Sequence, residues 1–241
     1  MGASEARSRA FGLQPAGRAA ALYAVCTPSL AGRRLTVEGR RINAVPFGRF
    51  ALLLSYVDPA HTPSEADDAR VRERAIERAA LHGAVVPLRS PSLVADARDL
   101  VAYARDRTPQ LVRTLARFRD RRECAVHAFA GPHVPPGGEP YLVRVAANVT
   151  RSARAPRAES ERLAAATERA KTTWEAGAAL ADSMRRVRTG GRRGALWSAV
   201  LLVRDDRVAA LRDLVDRDAA AAAAAGITFH FEGPRAPFSF V

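Results

Sequence analysis

Apolar and polar residues alternate in the segment 227–232 near the C-terminus, which reads Ile-Thr-Phe-His-Phe-Glu. A period of two residues predicts a strand with one buried face. The following Gly233 and Pro234 predict the end of this strand, because Pro has no N–H to donate to a neighbouring strand. An apolar tail, residues 237–241, comes next. Since chain ends are usually polar and frayed, we expect this tail to be docked, either on its own domain or on a partner.

Seven other stretches have the length and composition of buried or half-buried strands. The segment 50–57 is strongly apolar and ends at Asp58-Pro59, so we expect a central strand there. The segment 84–89 is expected to end at the Ser-Pro-Ser sequence that follows it. The predicted strands are residues 20–26, 35–38, 41–45, 50–57, 84–89, 123–130 and 195–203.

Apolar residues spaced three and four apart predict helices between these strands. The first helix extends from a cap at Ser64 to Gly83, and the next begins at a cap at Ser92. The pair Thr108-Pro109 predicts either a second helix or a kink at that point. Two further helical patterns cover residues 157–188 and residues 208–225, the second ending in a run of alanines.

The order of elements over residues 20–130 is strand, strand, helix, strand, helix, strand, with additional short pieces. This order is typical of a ferredoxin-like α+β domain. We therefore predict an α+β fold class, with an N-terminal ferredoxin-like domain and a smaller helix-rich α+β domain after it. The predicted divisions are a disordered N-terminus at residues 1–18, the first domain at 19–131, a Gly- and Pro-rich linker at 132–139, and the second domain with its docked tail at 140–241.

The composition is that of a soluble globular protein, with 48% hydrophobic and 26% charged residues. A chain of 241 residues is long enough for one large domain or two small ones. No apolar run has the length of a membrane span, and residues 1–14 lack the apolar core of a secretion signal. These features predict a cytoplasmic protein without a membrane partner.

The formal net charge of +13 comes almost entirely from Arg, because Lys171 is the one lysine. The Arg residues are scattered, no nucleic-acid motif accompanies them, and aromatic residues make up only 6% of the chain. We therefore expect no nucleic-acid binding. The charge is interpreted as a basic surface that favours an acidic partner.

The sequence contains no nucleotide-binding loop, nucleophile elbow or metalloprotease motif, and its five histidines lack metal-ligand spacing. His127 and His230 fall at polar positions of their strands, which predicts positions at the surface or at a sheet edge. Cys26 and Cys124 lie in apolar stretches, where a free thiol behaves as a small buried hydrophobe. The residues by themselves therefore predict no catalytic group, no cofactor and no metal site.

Several short motifs, in order along the chain, resemble the gas vesicle F and L protein family. The ending of residues 233–241, Gly-Pro-Arg-Ala-Pro-Phe-Ser-Phe-Val, is similar to the family's Gly-Pro-(Trp)-x-(Pro/Ala)-Tyr-Ser-Phe ending. Residues 85–89, Val-Val-Pro-Leu-Arg, resemble its Val-Leu-Pro-Leu-Arg element, and residues 22–28 resemble its opening strand. The chain departs from the family at Arg72, where the family has His.

This resemblance implies an accessory role in gas vesicle assembly. Such a protein binds the small, aggregation-prone shell protein, works with other gas vesicle accessory proteins, and is expected in the cytoplasm or at the inner shell face. Apolar strand edges and an apolar tail can bind a partner without any catalytic group. The candidate contact residues are Phe129, Tyr141, Trp174, Trp197, Phe238 and Phe240.

The same resemblance leaves a second function open. Some actinomycete proteins similar to this family serve antibiotic biosynthesis as oxygenases that cleave a ring of an angucycline-type aromatic polyketide. Such an enzyme would need an apolar cavity large enough for a polycyclic quinone. Its candidate lining residues are Phe129, Tyr141, Trp174 and Trp197.

Overall fold

The computed structural model describes residues 19–57, 65–94, 97–130, 171, 173–187, 195–224 and 227–241. The chain divides into two compact units. The first consists of the chain up to Asp120 together with Ala236–Val241, and the second of Arg121–Arg235. The predicted disordered segment 1–18 and the predicted linker 132–139 lie outside the described residues.

The first unit contains a five-stranded antiparallel sheet and two helices. Its elements are β1 (Ala19–Cys26), β2 (Arg34–Val37), β3 (Arg40–Phe47), β4 (Phe50–Val57), α1 (Glu65–Ala80), β5 (Val85–Val94) and α2 (Ala97–Phe118). The strand order is β2-β3-β4-β1-β5. Each neighbouring pair is antiparallel.

Strands β1 and β4 form the buried part of this sheet. All eight residues of β1 are buried between β4 and β5. The strand has no charged side chain, which allows both of its faces to be covered. Strand β4 coincides with the predicted strand at residues 50–57, and its apolar first half is buried in the same way.

Helix α1 covers one face of the sheet with small and branched side chains spaced three and four residues apart. Its Ala75 and Ala79 allow close approach to the sheet, where Tyr23 and Leu53 are also fully buried. Deleting one such large side chain from a packed core costs roughly 2–5 kcal/mol. The buried residues of the helix are Val71, Ala75, Ile76, Ala79 and Ala80.

Strand β5 continues past the predicted end at residue 89 to Val94. Ser92, expected to cap the next helix, instead pairs with Leu22 of β1. A register irregularity between Leu22 and Ala24 accompanies this pairing. The predicted end of the strand at the Ser-Pro-Ser sequence was wrong, because pairing with β1 overrides the local preference and an edge strand tolerates Pro.

Helix α2 is continuous, with Pro109 inside it. Pro109 cannot donate to the carbonyl four residues earlier. The side chain of Thr108 donates to the carbonyl of Ala104 at 2.8 Å, one turn before it. Burial beyond Pro109 keeps the helix intact, since the apolar face continues through Leu111, Leu115 and Phe118.

The second unit contains a four-stranded antiparallel sheet. Its elements are β6 (Arg121–Ala130), the helix α3 (173–180), β7 (Ala181–Val187), β8 (Ala195–Arg204), α4 (Val208–Ala224) and β9 (Ile227–Arg235). The strand order is β7-β8-β6-β9. The core of this unit lies on the sheet face that includes Cys124, Val126 and Ala128 of β6, against Leu211 and Val215 of α4.

The predicted helix at residues 157–188 is wrong in its last part. The helix ends at residue 180, and residues 181–187 form β7. Pairing with β8, in which Met184 lies opposite Leu201, overrides helix propensity here. The earlier part of the predicted helix, before residue 171, lies outside the described residues.

The predicted end of the last strand at Gly233 is also wrong, because β9 continues to Arg235, which pairs with Glu123. A register irregularity between Glu123 and Ala125 lies at this point, where an edge strand can accommodate Pro.

The α+β fold class is confirmed, while the division of the chain differs from the predicted boundary at residues 131–132. Strand β6, expected to complete the first sheet, pairs with β8 and β9 in the second. The last six residues, expected with the second domain, belong to the first unit. Both differences concern the element against which a segment packs or pairs. Local sequence patterns do not specify this partner.

Candidate functional site

The hairpin of β2 and β3 has a two-residue turn at Glu38 and Gly39, with φ of 49° and 76°. Positive φ at both positions is typical of the type I′ turn. Such a turn makes the flanking Val37 and Arg40 a hydrogen-bonded pair. Hydrogen-bonded and non-hydrogen-bonded pairs alternate along the hairpin, so Thr36 directs its backbone N–H and C=O away from β3.

We define the β2 edge as the outward backbone groups of Arg34 and Thr36. Strand β2 is the outermost strand on its side of the described sheet. Arg34 and Thr36 are exposed, and Leu35 between them is half-buried. The Thr36 carbonyl accepts a hydrogen bond from Nη1 of Arg78 in α1. The edge therefore combines outward polar backbone with basic side chains.

Ion pairs connect the hairpin turn to α1. The carboxylate of Glu38 pairs with Nε of Arg70 at 3.2 Å and with Nη1 of Arg74. Arg70 also pairs with Asp67 at 2.9 Å. Exposed pairs of this kind contribute about 0–1 kcal/mol each, so their main effect is to fix the position of the turn.

The apolar tail packs on the first unit. Ala236 and Phe240 are buried, and Phe238 is half-buried against the core of that unit. The N–H of Ala236 donates to both carboxylate oxygens of Glu77, at 3.1 and 3.2 Å. A short 3-10 helix, Phe238–Phe240, lies next to β5. The tail thus closes the core of the first unit, although its preceding strand belongs to the second.

Two of the candidate contact residues meet in the core of the second unit. The rings of Trp174 and Trp197 are in edge-to-face contact, with 5.3 Å between centroids and 76° between planes. Phe229 lies 6.0 Å from Trp197. Trp197 is buried and Trp174 is half-buried. Aromatic pairs in this geometry add about 0.5–1.5 kcal/mol to the burial of their surface.

The structure does not place the other two candidate cavity residues beside these tryptophans. Phe129 is buried, and its ring lies 6.3 Å from that of His127. Tyr141 lies outside the described residues. The structure therefore places Trp174 and Trp197 together and Phe129 beside a polar cluster that the sequence had not indicated.

This polar cluster joins three strands of the second unit. His127 of β6 lies opposite Ser198 of β8 and His230 of β9. Its Nδ1 and the Ser198 Oγ are 2.8 Å apart in a buried hydrogen bond. The Glu232 carboxylate lies 3.7 Å from His127 Nε2 and 3.5 Å from His230 Nδ1. Arg235 donates to Glu232 at 2.9 Å.

The prediction that His127 lies at the surface or at a sheet edge is wrong, because β6 lies between β8 and β9. Its side chain is buried, and Glu123, which lies 3.7 Å from Arg235, is also fully buried. A polar position on a strand can be buried when cross-strand neighbours supply hydrogen bonds. His230 lies on the edge strand β9, in agreement with the predicted sheet-edge position, and is half-buried.

The cluster has the residue types of a Ser–His–acid triad but not its geometry. The 3.7 Å between His127 and Glu232 exceeds a hydrogen bond, and Ser198 is only 4% exposed. A nucleophile must reach its substrate, which a buried hydroxyl does not. We therefore interpret the cluster as a buried network that fixes the register of β8, β6 and β9.

Both thiols are buried as expected, and burial raises the pKa of Cys26 and of Cys124 to about 12. The thiolate is the reactive form, so these cysteines are unreactive in the folded protein. In the described part of the chain, no group of three metal-ligating side chains occurs.

In the folded protein, Ellman's reagent is expected to label neither cysteine on the timescale of minutes at neutral pH. In denaturant, the same protein provides the control, because both thiols become exposed and react. The unfolded thiols ionise near pH 9 and the folded ones only near 12, so stability should also fall as the pH rises between these values. Rapid labelling of one thiol before unfolding would contradict the burial.

The comparison with protein families gives one match over nearly the whole chain. A family described as gas vesicle synthesis protein GvpL/GvpF matches residues 20–241. The chain belongs to the GvpL/GvpF family. No curated protein sequence matches it significantly.

Two solved GvpF structures have the same fold. The crystal structure of the gas vesicle protein GvpF from Anabaena sp. PCC7120 has a TM-score of 0.72 and 15% identity, over 92% of this chain and 95% of that chain. GvpF from Microcystis aeruginosa has a TM-score of 0.66 and 12% identity, over 92% and 98%. At these sequence identities, the similarity to the two GvpF structures is evidence for a shared fold and for nothing further.

Two of the family motifs lie in edge strands and in the tail of this GvpL/GvpF fold. The Val-Val-Pro-Leu-Arg element begins β5, where Val85 and Val86 are buried. The ending residues form the end of β9 and the tail. Among the described helices, none combines the length and the apolar character needed to cross a membrane.

Sequence reasoning missed the polar cluster of this GvpL/GvpF protein because its members are far apart in the chain. His127 and Ser198 are separated by 71 residues. The available signal was the presence of a polar residue at the same phase of three strongly apolar strands. That signal depends on knowing which strands are neighbours.

Proposed function

We propose that this protein is an accessory factor of gas vesicle synthesis that binds the small hydrophobic shell protein and limits its aggregation before assembly. The observation that carries the proposal is membership of the GvpL/GvpF family over residues 20–241. Neither this match nor the described residues support the ring-cleaving oxygenase. The protein acts through contact surfaces, in the cytoplasm or at the inner face of the vesicle.

The β2 edge is the contact surface we propose for the shell protein. An extended segment of the partner adds to the sheet beside β2 and forms hydrogen bonds with the outward groups of Arg34 and the outward N–H of Thr36. The Thr36 carbonyl already accepts from Arg78. The exposed guanidinium groups of Arg34 and Arg41 favour a partner segment with acidic residues. Half-buried Leu35 supplies a small apolar contact.

Of the aromatic candidates, Trp174 and Phe238 retain exposed surface, and we propose them as secondary contacts. Trp197, Phe129 and Phe240 are almost fully buried. They support binding by holding their units folded.

The proposed function is tested by producing the shell protein with and without this chain in the same cells. We expect a larger soluble fraction of shell protein when the chain is present, and co-purification of the two proteins. An unchanged soluble fraction without co-purification would contradict the proposal. A matched unrelated protein of similar size and charge controls for general effects of expression.

The substitution Thr36→Pro is expected to reduce shell-protein binding at least tenfold while leaving the fold intact. Pro removes the outward N–H that an added strand needs, and edge strands tolerate Pro where the N–H faces solvent. Binding is measured by titration of purified protein, and folding by circular dichroism.

The matched control is Thr36→Val, which keeps the N–H and favours a strand. It should bind as the unchanged protein does. If Thr36→Pro folds and binds equally well, the partner does not add a strand at the β2 edge. The family-level role would then stand without this contact.

A further inference from the structure

Arg72 is a buried basic residue on the inward side of α1. It is only 6% exposed, and it lies one helical turn after Asp68. Its Nε is sealed from solvent and has no hydrogen-bond acceptor. In the described part of the chain, Arg72 forms no hydrogen bond or ion pair, which sets it apart from Arg40, Arg70 and Arg74.

The acidic group nearest in sequence on the same side of α1 already has partners. Asp68 accepts a hydrogen bond from Nη1 of Arg40 at 2.8 Å. The hydroxyl of Tyr23 lies 3.5 Å from the same carboxylate oxygen and 2.8 Å from Ser55 Oγ. These groups form a polar cluster under α1 in which the guanidinium of Arg72 has no direct counter-ion.

Burial lowers the pKa of the Arg72 guanidinium, and the negative charges of Asp68 and Glu73 act against this effect. A buried charge without a direct counter-ion is strongly unfavourable. The planar guanidinium matches a carboxylate through two parallel hydrogen bonds, and such charge-assisted pairs are among the strongest in proteins. A carboxylate is therefore the group that this position fits best.

The cluster also reaches the protein surface. The side chains of Arg40 and Asp68 are 26% and 17% exposed. A ligand would approach Arg72 beside these two side chains. Arg40 already neutralises Asp68, which reduces the repulsion of an incoming anion.

We propose that Arg72 is the centre of a carboxylate-binding site on the first unit. Its ligand is a carboxylate group, supplied either by a small free acid or by an acidic side chain of a protein partner. The inference does not depend on the proposed shell-protein contact, because it rests on the geometry around Arg72 alone.

The site is tested directly by the ¹H–¹⁵N signal of the Arg72 Nε–H in the full-length protein, titrated with sodium acetate against sodium chloride at equal ionic strength. We expect a saturable shift of this signal with acetate and none with chloride. A blocked acidic peptide, titrated in the same way, distinguishes the two sources. If acetate binds and the peptide does not, the natural ligand is a free acid. If the peptide binds more tightly than acetate, the carboxylate comes from a side chain of a protein partner.

Thermal unfolding gives a second measurement. Acetate at tenfold its dissociation constant should raise the melting temperature of the unchanged protein by roughly 4 °C or more relative to chloride. The variant Arg72→Met, which keeps the volume and loses the charge, should show no such rise. Arg74→Met, on the same helix and already exposed, is the matched control and should retain it.

Two results would overturn the site. One is an Nε–H signal of the unaltered protein that neither acetate nor the peptide shifts. This measurement does not depend on the folding of any variant. The other is an acetate effect of equal size in Arg72→Met. If Arg72→Met does not fold, Arg72→Lys keeps the charge without the planar fork and should bind acetate at least tenfold more weakly.

Discussion

Replacing Phe240 with Ala is expected to destabilise the first unit by about 3–5 kcal/mol. The side chain is only 3% exposed, at the end of a tail that forms part of that unit. Its removal leaves a cavity that neighbouring side chains of β5 and the core cannot fill without strain. Deleting residues 237–241 should have a larger effect, because it also removes the half-buried ring of Phe238.

The two units can be followed separately. Both tryptophans of the chain lie in the second unit, so their fluorescence reports its unfolding. Hydrogen exchange of the β1 and β4 amides reports the first unit. For Phe240→Ala we expect faster exchange in β1 and β4 at low denaturant, before the fluorescence changes.

The matched control is Leu81→Ala, because Leu81 is an apolar residue that is 75% exposed. Its effect should remain within about 0.5 kcal/mol. If Phe240→Ala and Leu81→Ala unfold alike, the tail does not contribute to the core of the first unit. A loss confined to tryptophan fluorescence would instead place the tail with the second unit.

The substitution Gly233→Ala should destabilise the second unit by roughly 3 kcal/mol. Gly233 has a φ of 113°, which side chains rarely tolerate. A Cβ at this position would lie 2.7 Å from the backbone carbonyl oxygen of Glu123 and 3.2 Å from Cα of Cys124. Both atoms belong to the neighbouring strand β6, so the added methyl group must separate the paired backbones.

The midpoint of denaturant unfolding, followed by tryptophan fluorescence, measures this loss. Gly177→Ala is the control, since it makes the same chemical change in helix α3 of the same unit. There the Cβ would lie 3.5 Å from Cδ1 of Leu211, an ordinary contact, and Ala favours a helix by about 0.5–1 kcal/mol. Equal effects of the two substitutions would contradict the close approach at Gly233.

Much of the local structure follows from the sequence. The apolar run of residues 50–57 is β4, and the alternation after Ile227 is β9. Local patterns succeed here because the apolar positions of a strand show whether one or both of its faces are buried. The motifs of the C-terminal ending and of β5 also indicated the GvpL/GvpF family, which the match over residues 20–241 confirms.

The candidate site was less accessible to sequence reasoning. The β2 edge depends on strand order, and the isolation of Arg72 depends on Arg40 lying beside Asp68. Arg72 stands in a helix rich in Arg and Glu, so its sequence neighbours suggest an exposed ion pair. Its burial becomes visible only when α1 is placed on the sheet, because the same helix has both an inward and an outward Arg.

The sequence by itself determined where most strands and helices lie, that the fold is α+β, and to which family the chain belongs. The tertiary structure alone decided that β6 pairs in the second sheet, that residues 181–187 form a strand, that His127 is buried, and that the tail closes the first unit. The reason is physical. Periodicity records whether a residue is covered, whereas the identity of the covering element depends on contacts between residues far apart in the chain.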